Sequence, residues 1–136
     1  MTGRELLNLH RALVLMIEKQ KAKIQRLEER KTSLTIVNDG LPKGSDRYTM
    51  EDYMVDKEKL ELGLGSMQRL QSYYYDQIFQ ALPRMKKSRE IDILWQRYLF
   101  GKSWAIAERD LKISHSYAMT LHRSALANFE KAIYST

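Results

Sequence analysis

A heptad repeat near the N-terminus constrains this 136-residue chain more than any other feature of its sequence. Nine positions, spaced four and three residues apart, run through residues 4 to about 37, and six of the nine are apolar. Such a repeat predicts one long helix that buries a narrow stripe against a partner helix. Gln20 and Lys31 interrupt the apolar stripe. The nine positions are Leu6, His10, Leu13, Ile17, Gln20, Ile24, Leu27, Lys31 and Leu34.

A second heptad of nearly equal length covers residues 50 to about 82. A cluster of helix-breaking residues at 38–45 separates the two repeats, and Thr49 with Asp52 predicts a capped start for the second helix. Two helices of equal length joined by a loop predict a long antiparallel helical hairpin resembling a coiled coil. The second stripe consists of Met50, Tyr53, Lys57, Leu60, Leu64, Met67, Gln71, Tyr74, Ile78 and Ala81.

A hairpin of two helices leaves some apolar side chains outside both stripes. We expect self-association, most simply as a dimer, to cover these residues. Gly63 and Gly65 weaken the second helix and predict a kink or a close helix approach at that point. The apolar residues expected on the surface are Leu7, Val14, Met54, Tyr73 and Tyr75.

Three shorter helices are predicted after a Leu-Pro pair that ends the hairpin. Gly101 ends the first of them, while Ser103 and Ser114 are N-caps of the second and third. The sequence therefore predicts an all-α chain, with a hairpin arm at 1–83 and a helix-turn-helix domain at 84–136. The residues expected to be buried in the C-terminal part are Ile91, Leu94, Trp95, Tyr98, Leu99, Ala118, Leu121, Ala125 and Phe129.

The net charge of +6 is concentrated in the C-terminal part of the chain. Residues 84–136 contain ten lysines and arginines against five acids. The basic excess therefore coincides with the predicted helix-turn-helix, which favours a polyanionic partner for that segment.

Composition argues against several function classes. The chain has no cysteine, which excludes disulfides and thiolate metal sites and fits a reducing, cytoplasmic compartment. It has no apolar run long enough to span a bilayer, so no membrane partner is expected. The three histidines lack metal-ligand spacing, and no phosphate-binding loop or nucleophile motif is present. Neither an enzyme nor a cofactor is expected.

The last predicted helix has a polar, partly basic face opposite its apolar one. In a helix-turn-helix, the outward residues at the start of the second helix reach the base edges of DNA. The expected base contacts are Ser114, His115, Ser116, Met119, Thr120 and Arg123. Cations and a helix N-terminus around this face are suited to backbone phosphates. The expected phosphate contacts are Arg84, Lys86, Lys87, Arg89, Lys102, Ser103 and Lys112.

The segments YLFGKSW, LKIS and TLHRSAL resemble region four of sigma-70-type factors and the sigma-like helix-turn-helix of small phage transcription regulators. The upstream segment LPKGSDRYTMEDYMVDKEKLE is similar to the loop and second helix of phage and prophage proteins of Gram-positive bacteria. This resemblance implies a transcription regulator that binds double-stranded DNA at a phage promoter, with host RNA polymerase as a further partner. The matching residues are Tyr98, Leu99, Gly101, Ser103, Trp104, Leu111, Ile113, Ser114, Leu121, His122, Ala125 and Leu126.

The chain departs from the family pattern at two places. Lys112 stands where relatives usually have a turn glycine. The small residue expected inside the preceding helix falls on Glu108, and a buried, unpaired glutamate is costly. We therefore expect a local shift that buries Ala107 and exposes Glu108.

A second function class fits the same residues. The chain could be a protein-interaction module that docks on RNA polymerase or on a host regulator without reading DNA directly. A basic stripe across Lys102, Thr120 and Arg123 favours DNA, whereas an apolar or acidic recognition face favours protein.

Overall fold

A computed structural model describes residues 1–36 and 48–135 of the chain, and these residues form helices joined by short turns, without any strand. The predicted all-α class is confirmed. The predicted loop at 38–45 and the side chain of Leu34 lie outside the described residues. The helices are α1 (Gly3–Ile36), α2 (Met50–Ala81), α3 (Ser88–Leu94), α4 (Trp104–Leu111) and α5 (His115–Tyr134), with a 3₁₀ turn at Leu82–Arg84 and a π-type turn at Trp95–Leu99.

The chain forms two compact units. The first contains Met1–Leu15 and Arg69–Thr136, and the second contains Met16–Gln68. This division does not coincide with the predicted boundary after residue 83, because the start of α1 and the end of α2 pack with the C-terminal helices.

The first unit has one continuous apolar core. The alternating three- and four-residue spacings of α1 and α5 bury one face of each helix in it. Leu7 is fully buried there, so its predicted place on the surface is wrong. The buried members of the core are Leu6, Leu7, Ile78, Ala81, Leu82, Met85, Ile93, Leu94, Tyr98, Leu99, Ala118, Ala125, Phe129 and Ala132.

His10 occupies a stripe position of α1 and is fully buried. Its Nδ1 lies 2.9 Å from the carbonyl oxygen of Tyr98, and its Nε2 lies 2.9 Å from the side-chain amide nitrogen of Gln71. These partners assign the proton to Nδ1, which donates to the carbonyl, while Nε2 accepts from the amide. Burial lowers the pKa of His10 and favours the neutral ring.

Glu90 is the second buried polar residue of the core, at 1% exposure. Its carboxylate accepts hydrogen bonds from the Asn128 amide, at 2.5 and 3.0 Å, and from the Ser124 hydroxyl at 2.9 Å. These bonds offset the desolvation of the carboxylate and join α3 to α5. The sequence pattern predicted neither this burial nor these partners.

The segment from α3 to Gly101 is wound more loosely than an α-helix before it ends. The Phe100 amide donates to the Trp95 carbonyl at 2.8 Å, a five-residue spacing typical of a π-type turn. Gly101 then takes a φ of 71°, as its predicted role as the helix end requires. Of the predicted buried residues in this segment, Leu94, Tyr98 and Leu99 are buried, whereas Ile91 and Trp95 are half-buried.

The second unit is joined by polar contacts as well as by the apolar stripe. The side-chain amide of Gln20, a residue that interrupts the stripe, donates to the Leu60 carbonyl at 3.0 Å. A Cβ on Gly63 would lie 3.1 Å from this amide nitrogen, so the Gln20 side chain packs against Gly63. The predicted kink or close helix approach at Gly63 and Gly65 stays a prediction. The predicted start of α2 is also confirmed, because the Thr49 hydroxyl accepts from the Asp52 amide at 3.2 Å.

His122 of α5 packs between two aromatic rings of the first unit. Its ring centroid lies 5.7 Å from Tyr98 and 4.6 Å from Trp104, and its Nε2 accepts from the Tyr98 hydroxyl at 2.5 Å. Burial, and then the charges of Arg4 and Arg97, lower the pKa of His122 from 6.5 to about 4. The ring is therefore neutral in the folded protein near neutral pH.

We predict that the free energy of unfolding falls as the pH is lowered from about 6.5 towards about 4. The unfolded chain binds a proton at His122 first, because the folded state depresses the pKa of that ring. The stability is complete above about pH 6.5 and is lost progressively below it. Urea unfolding at several pH values measures the loss. A His122→Gln variant, which keeps a hydrogen-bond acceptor but does not titrate, should lose less stability over this range, and an equal loss in both proteins would contradict the account.

Candidate nucleic-acid interface

The turn between α4 and α5 is built from two caps and one left-handed residue. The Ser103 hydroxyl accepts from the Ile106 amide at 3.3 Å, and the Ser114 hydroxyl accepts from the Tyr117 amide at 3.1 Å, as the sequence predicts. Lys112 lies between them with φ 58° and ψ 48°, the conformation that glycine adopts most easily. The Ile113 amide closes the end of α4 by donating to the Glu108 carbonyl at 3.0 Å.

Burial differs between Ala107 and Glu108, the two neighbouring residues of α4 at which the sequence departs from the family pattern. Ala107 is fully buried, as expected from the predicted shift. Glu108 is not exposed, which corrects the second half of that prediction, because its side chain is only 16% exposed. The Glu108 carboxylate lies 2.5 Å from Nδ1 of His115, so the glutamate is paired across the turn rather than left in solvent.

The outward face of α5 is polar and accessible. Ala118, Ala125 and Phe129 are buried as predicted, and Leu121 is half-buried. The exposed residues on the first two turns are Ser114, His115, Ser116, Tyr117, Thr120 and Arg123, whereas Met119 is half-buried against the core. Tyr117 was not among the predicted contacts, although its position directly after Ser116 could have indicated it.

A groove of about 550 Å³ runs between this face and the segment that leads into α3. The groove brings together residues that are about 30 positions apart in sequence. The Arg89 guanidinium lies 5.8 Å from the centre of the Tyr117 ring, which directs the start of α3 towards α5. The lining residues are Lys86, Lys87, Ser88, Arg89, Glu90, Tyr117, Thr120, Leu121 and Ser124.

Four of the predicted phosphate contacts are exposed cations, of which Arg89 also contacts the Tyr117 ring. The other three form hydrogen bonds or an ion pair within the chain. Exposed cations are Lys86, Lys87, Arg89 and Lys112.

Arg84 donates to the carbonyls of Ala132 and Ser135, at 3.0 and 2.8 Å, and so binds the C-terminal end of α5. Lys102 forms a 2.8 Å ion pair with Asp110, which lowers the pKa of that carboxyl group. The hydroxyl of Ser103 is engaged as the cap of α4. These three residues have structural roles of their own in the first unit.

No protein-family model matches this chain, and no curated protein or solved structure is significantly similar to it. Within residues 1–36 and 48–135, no cluster of histidines and carboxylates has the composition of a metal site. None of the helices in these two ranges combines the length and the apolar character that a bilayer crossing requires.

We predict that Lys112→Gly stabilises the protein by about 1 kcal/mol, because a left-handed conformation is strained for a residue with a Cβ. The free energy of unfolding in urea measures the gain. Lys112→Ala is the matched control, since it removes the same charge and keeps the Cβ, and it should give no gain. Stabilisation of equal size by both substitutions would show that charge, rather than backbone strain, governs the turn.

Proposed function

We propose that the chain is a sequence-specific DNA-binding transcription regulator of the phage or prophage type, which acts in the bacterial cytoplasm. The observation that carries this proposal is the groove beside α5. It sets an exposed polar helix face next to Lys86, Lys87 and Arg89, which the sequence places far from that helix. Base-reading groups flanked by backbone-binding cations are the arrangement by which proteins recognise duplex DNA.

In this proposal α4, the Lys112 turn and α5 form a helix-turn-helix, and α5 enters the major groove. The hydroxyls of Ser116 and Thr120 and the guanidinium of Arg123 are exposed and can bond base edges. The Thr120 hydroxyl now donates to the Ser116 carbonyl at 3.2 Å and retains its lone pairs as acceptors. The His115 side chain is 69% exposed, and pairing of its Nδ1 with Glu108 leaves Nε2 for a base or a phosphate.

We also propose that α1 and α2 form an antiparallel hairpin that serves oligomerisation. Within the second unit, the Glu28 carboxylate lies 3.2 Å from the Lys57 ammonium and accepts from the Tyr53 hydroxyl at 3.1 Å. Between these contacts and the bond from Gln20 to Leu60, the residue number falls along α1 and rises along α2. This supports an antiparallel arrangement. Met54 remains 62% exposed and would be covered in a homo-oligomer.

A specific observation also favours contact with a protein such as RNA polymerase. Tyr75, Phe79, Trp95 and Phe100 form a chain of ring contacts, with centroids 5.6 to 6.4 Å apart. Phe79 and Phe100 are more than half exposed. An exposed aromatic surface of this kind is typical of protein interfaces, so a docking module is the second candidate function.

Binding of the purified protein to duplex DNA at two salt concentrations tests the DNA proposal. A protein that uses about six phosphate contacts should weaken by roughly three decades in affinity between about 50 and 200 mM salt. Fluorescence anisotropy with promoter and unrelated duplexes gives both affinities. A folded protein that binds no duplex at low salt would exclude the DNA proposal and favour the docking module.

Substitutions separate base reading from backbone binding. Thr120→Ala and Arg123→Ala should each cost about 1–3 kcal/mol of discrimination between a selected and an unrelated duplex. Lys87→Ala should instead weaken binding to both duplexes alike, because a phosphate contact carries no sequence information. Arg109→Ala is the control, since Arg109 is an exposed cation of α4 outside the groove. If Lys87→Ala changes discrimination and Arg123→Ala does not, the proposed roles are reversed.

A further inference from the structure

A second basic surface lies on α1, within the second unit. Lys19, Lys23, Arg26 and Arg30 recur at spacings of four, three and four, which places them on one face of the helix. All four are exposed. Together with Lys59 of α2 they form what we name the α1 basic face. A groove of about 440 Å³ beside it is lined by Lys23, Arg26, Leu27, Arg30, Asp56, Lys59 and Leu60.

Two of the acids in this part of α1 are paired with other residues, whereas a third, Glu29, is exposed beside Arg30 in sequence. Glu28 bonds Lys57 and Tyr53 between the two helices, and Glu18 lies 3.9 Å from Lys21. Within the described ranges, no carboxylate lies within ion-pair distance of any cation of the α1 basic face. The charges of the first 83 residues nearly cancel, but the surface at the α1 basic face is locally positive.

One acid, Asp56, lies in the groove. Its carboxylate accepts from the Tyr48 hydroxyl at 2.7 Å. The Arg30 guanidinium lies over the Tyr48 ring, 3.6 Å from its centre. The aromatic ring thus holds Arg30 at the edge of the groove. The residues that line the groove include four cations and one anion.

We propose that the α1 basic face binds the backbone phosphates of duplex DNA. This inference rests on the proposed function and adds a contact surface outside the helix-turn-helix. The row from Lys19 to Arg30 spans about 16 Å of helix. A stretch of duplex of that length carries roughly ten phosphate charges.

Charge chemistry favours DNA over an acidic protein as the partner. Lysine is depleted at protein interfaces, which usually have a well-packed apolar centre. Here three of the five cations are lysines, and the only apolar lining residues, Leu27 and Leu60, are already half-buried. Exposed cations suit a regular phosphate backbone, which requires no particular side-chain geometry.

The test compares two double variants of the full-length protein that lose the same charge from the same helix. Lys23→Gln/Arg26→Gln removes two cations of the α1 basic face. Lys21→Gln/Lys31→Gln removes two cations from other faces of α1 and is the control. Affinity for a fluorescein-labelled duplex of arbitrary sequence is measured over a series of salt concentrations, and circular dichroism verifies that both variants are folded.

We expect the basic-face variant to bind about tenfold or more weakly at low salt. Its slope of log affinity against log salt should fall by about 1.8, since two phosphate contacts are lost. The control should keep the slope of the unsubstituted protein. Equal losses in both variants would overturn the proposal, because net charge alone would then explain them.

The outcomes also separate this inference from the proposed function. If the basic-face variant binds normally while Arg123→Ala loses discrimination, the inference is overturned, the regulator stands, and an acidic protein becomes the partner that fits the face. If the basic-face variant weakens binding while Thr120→Ala and Arg123→Ala change nothing, the inference is supported and base reading by α5 is overturned. Absence of any duplex binding by the unsubstituted protein overturns both.

Discussion

The first unit depends on Tyr98, whose backbone and side chain bind different helices. Its carbonyl accepts from the buried His10 of α1, and its hydroxyl donates to His122 of α5. Because both imidazoles are held neutral by burial, each ring can offer one donor and one acceptor without the cost of a buried charge. The position of Tyr98 is set in turn by the π-type turn that ends at Gly101. The exposed face of α5 is therefore oriented by a core on which three separate parts of the chain converge.

The distribution of charge near α5 also depends on contacts within the chain. Two carboxylates near α5 are paired within the chain, Glu90 between α3 and α5 and Glu108 across the turn. The cations at Lys86, Lys87 and Arg89 remain exposed beside α5. Internal pairing of Glu90 and Glu108 thus reduces the exposed negative charge near these cations. In the proposed function these cations supply the sequence-independent part of DNA binding, while the hydroxyls of α5 supply the selectivity.

Local periodicity and capping chemistry predicted much of the fold. Leu6, Leu13 and Ile17 are buried as the first heptad requires, and Ser103 and Ser114 cap the helices they precede. Long-range polar pairs could not be predicted, because nothing near His10 or Glu90 in sequence indicates partners 88 and 34 residues away. Leu7 lies outside the stripe and was therefore predicted on the surface, but a second packing surface buries it. For the candidate site, the sequence indicated the α5 face but not which cations, such as Arg84, already had partners.

The central claim is that the exposed face of α5 and the cations beside it contact duplex DNA. Titration of isotope-labelled protein with a duplex selected by the protein from a random pool, followed by amide chemical shifts, tests it most directly. The account predicts the largest shifts at residues 86–89 and 115–123, with little change at Phe79 and Phe100. Shifts confined to the aromatic surface around Phe79, Trp95 and Phe100, with α5 unaffected, would contradict it.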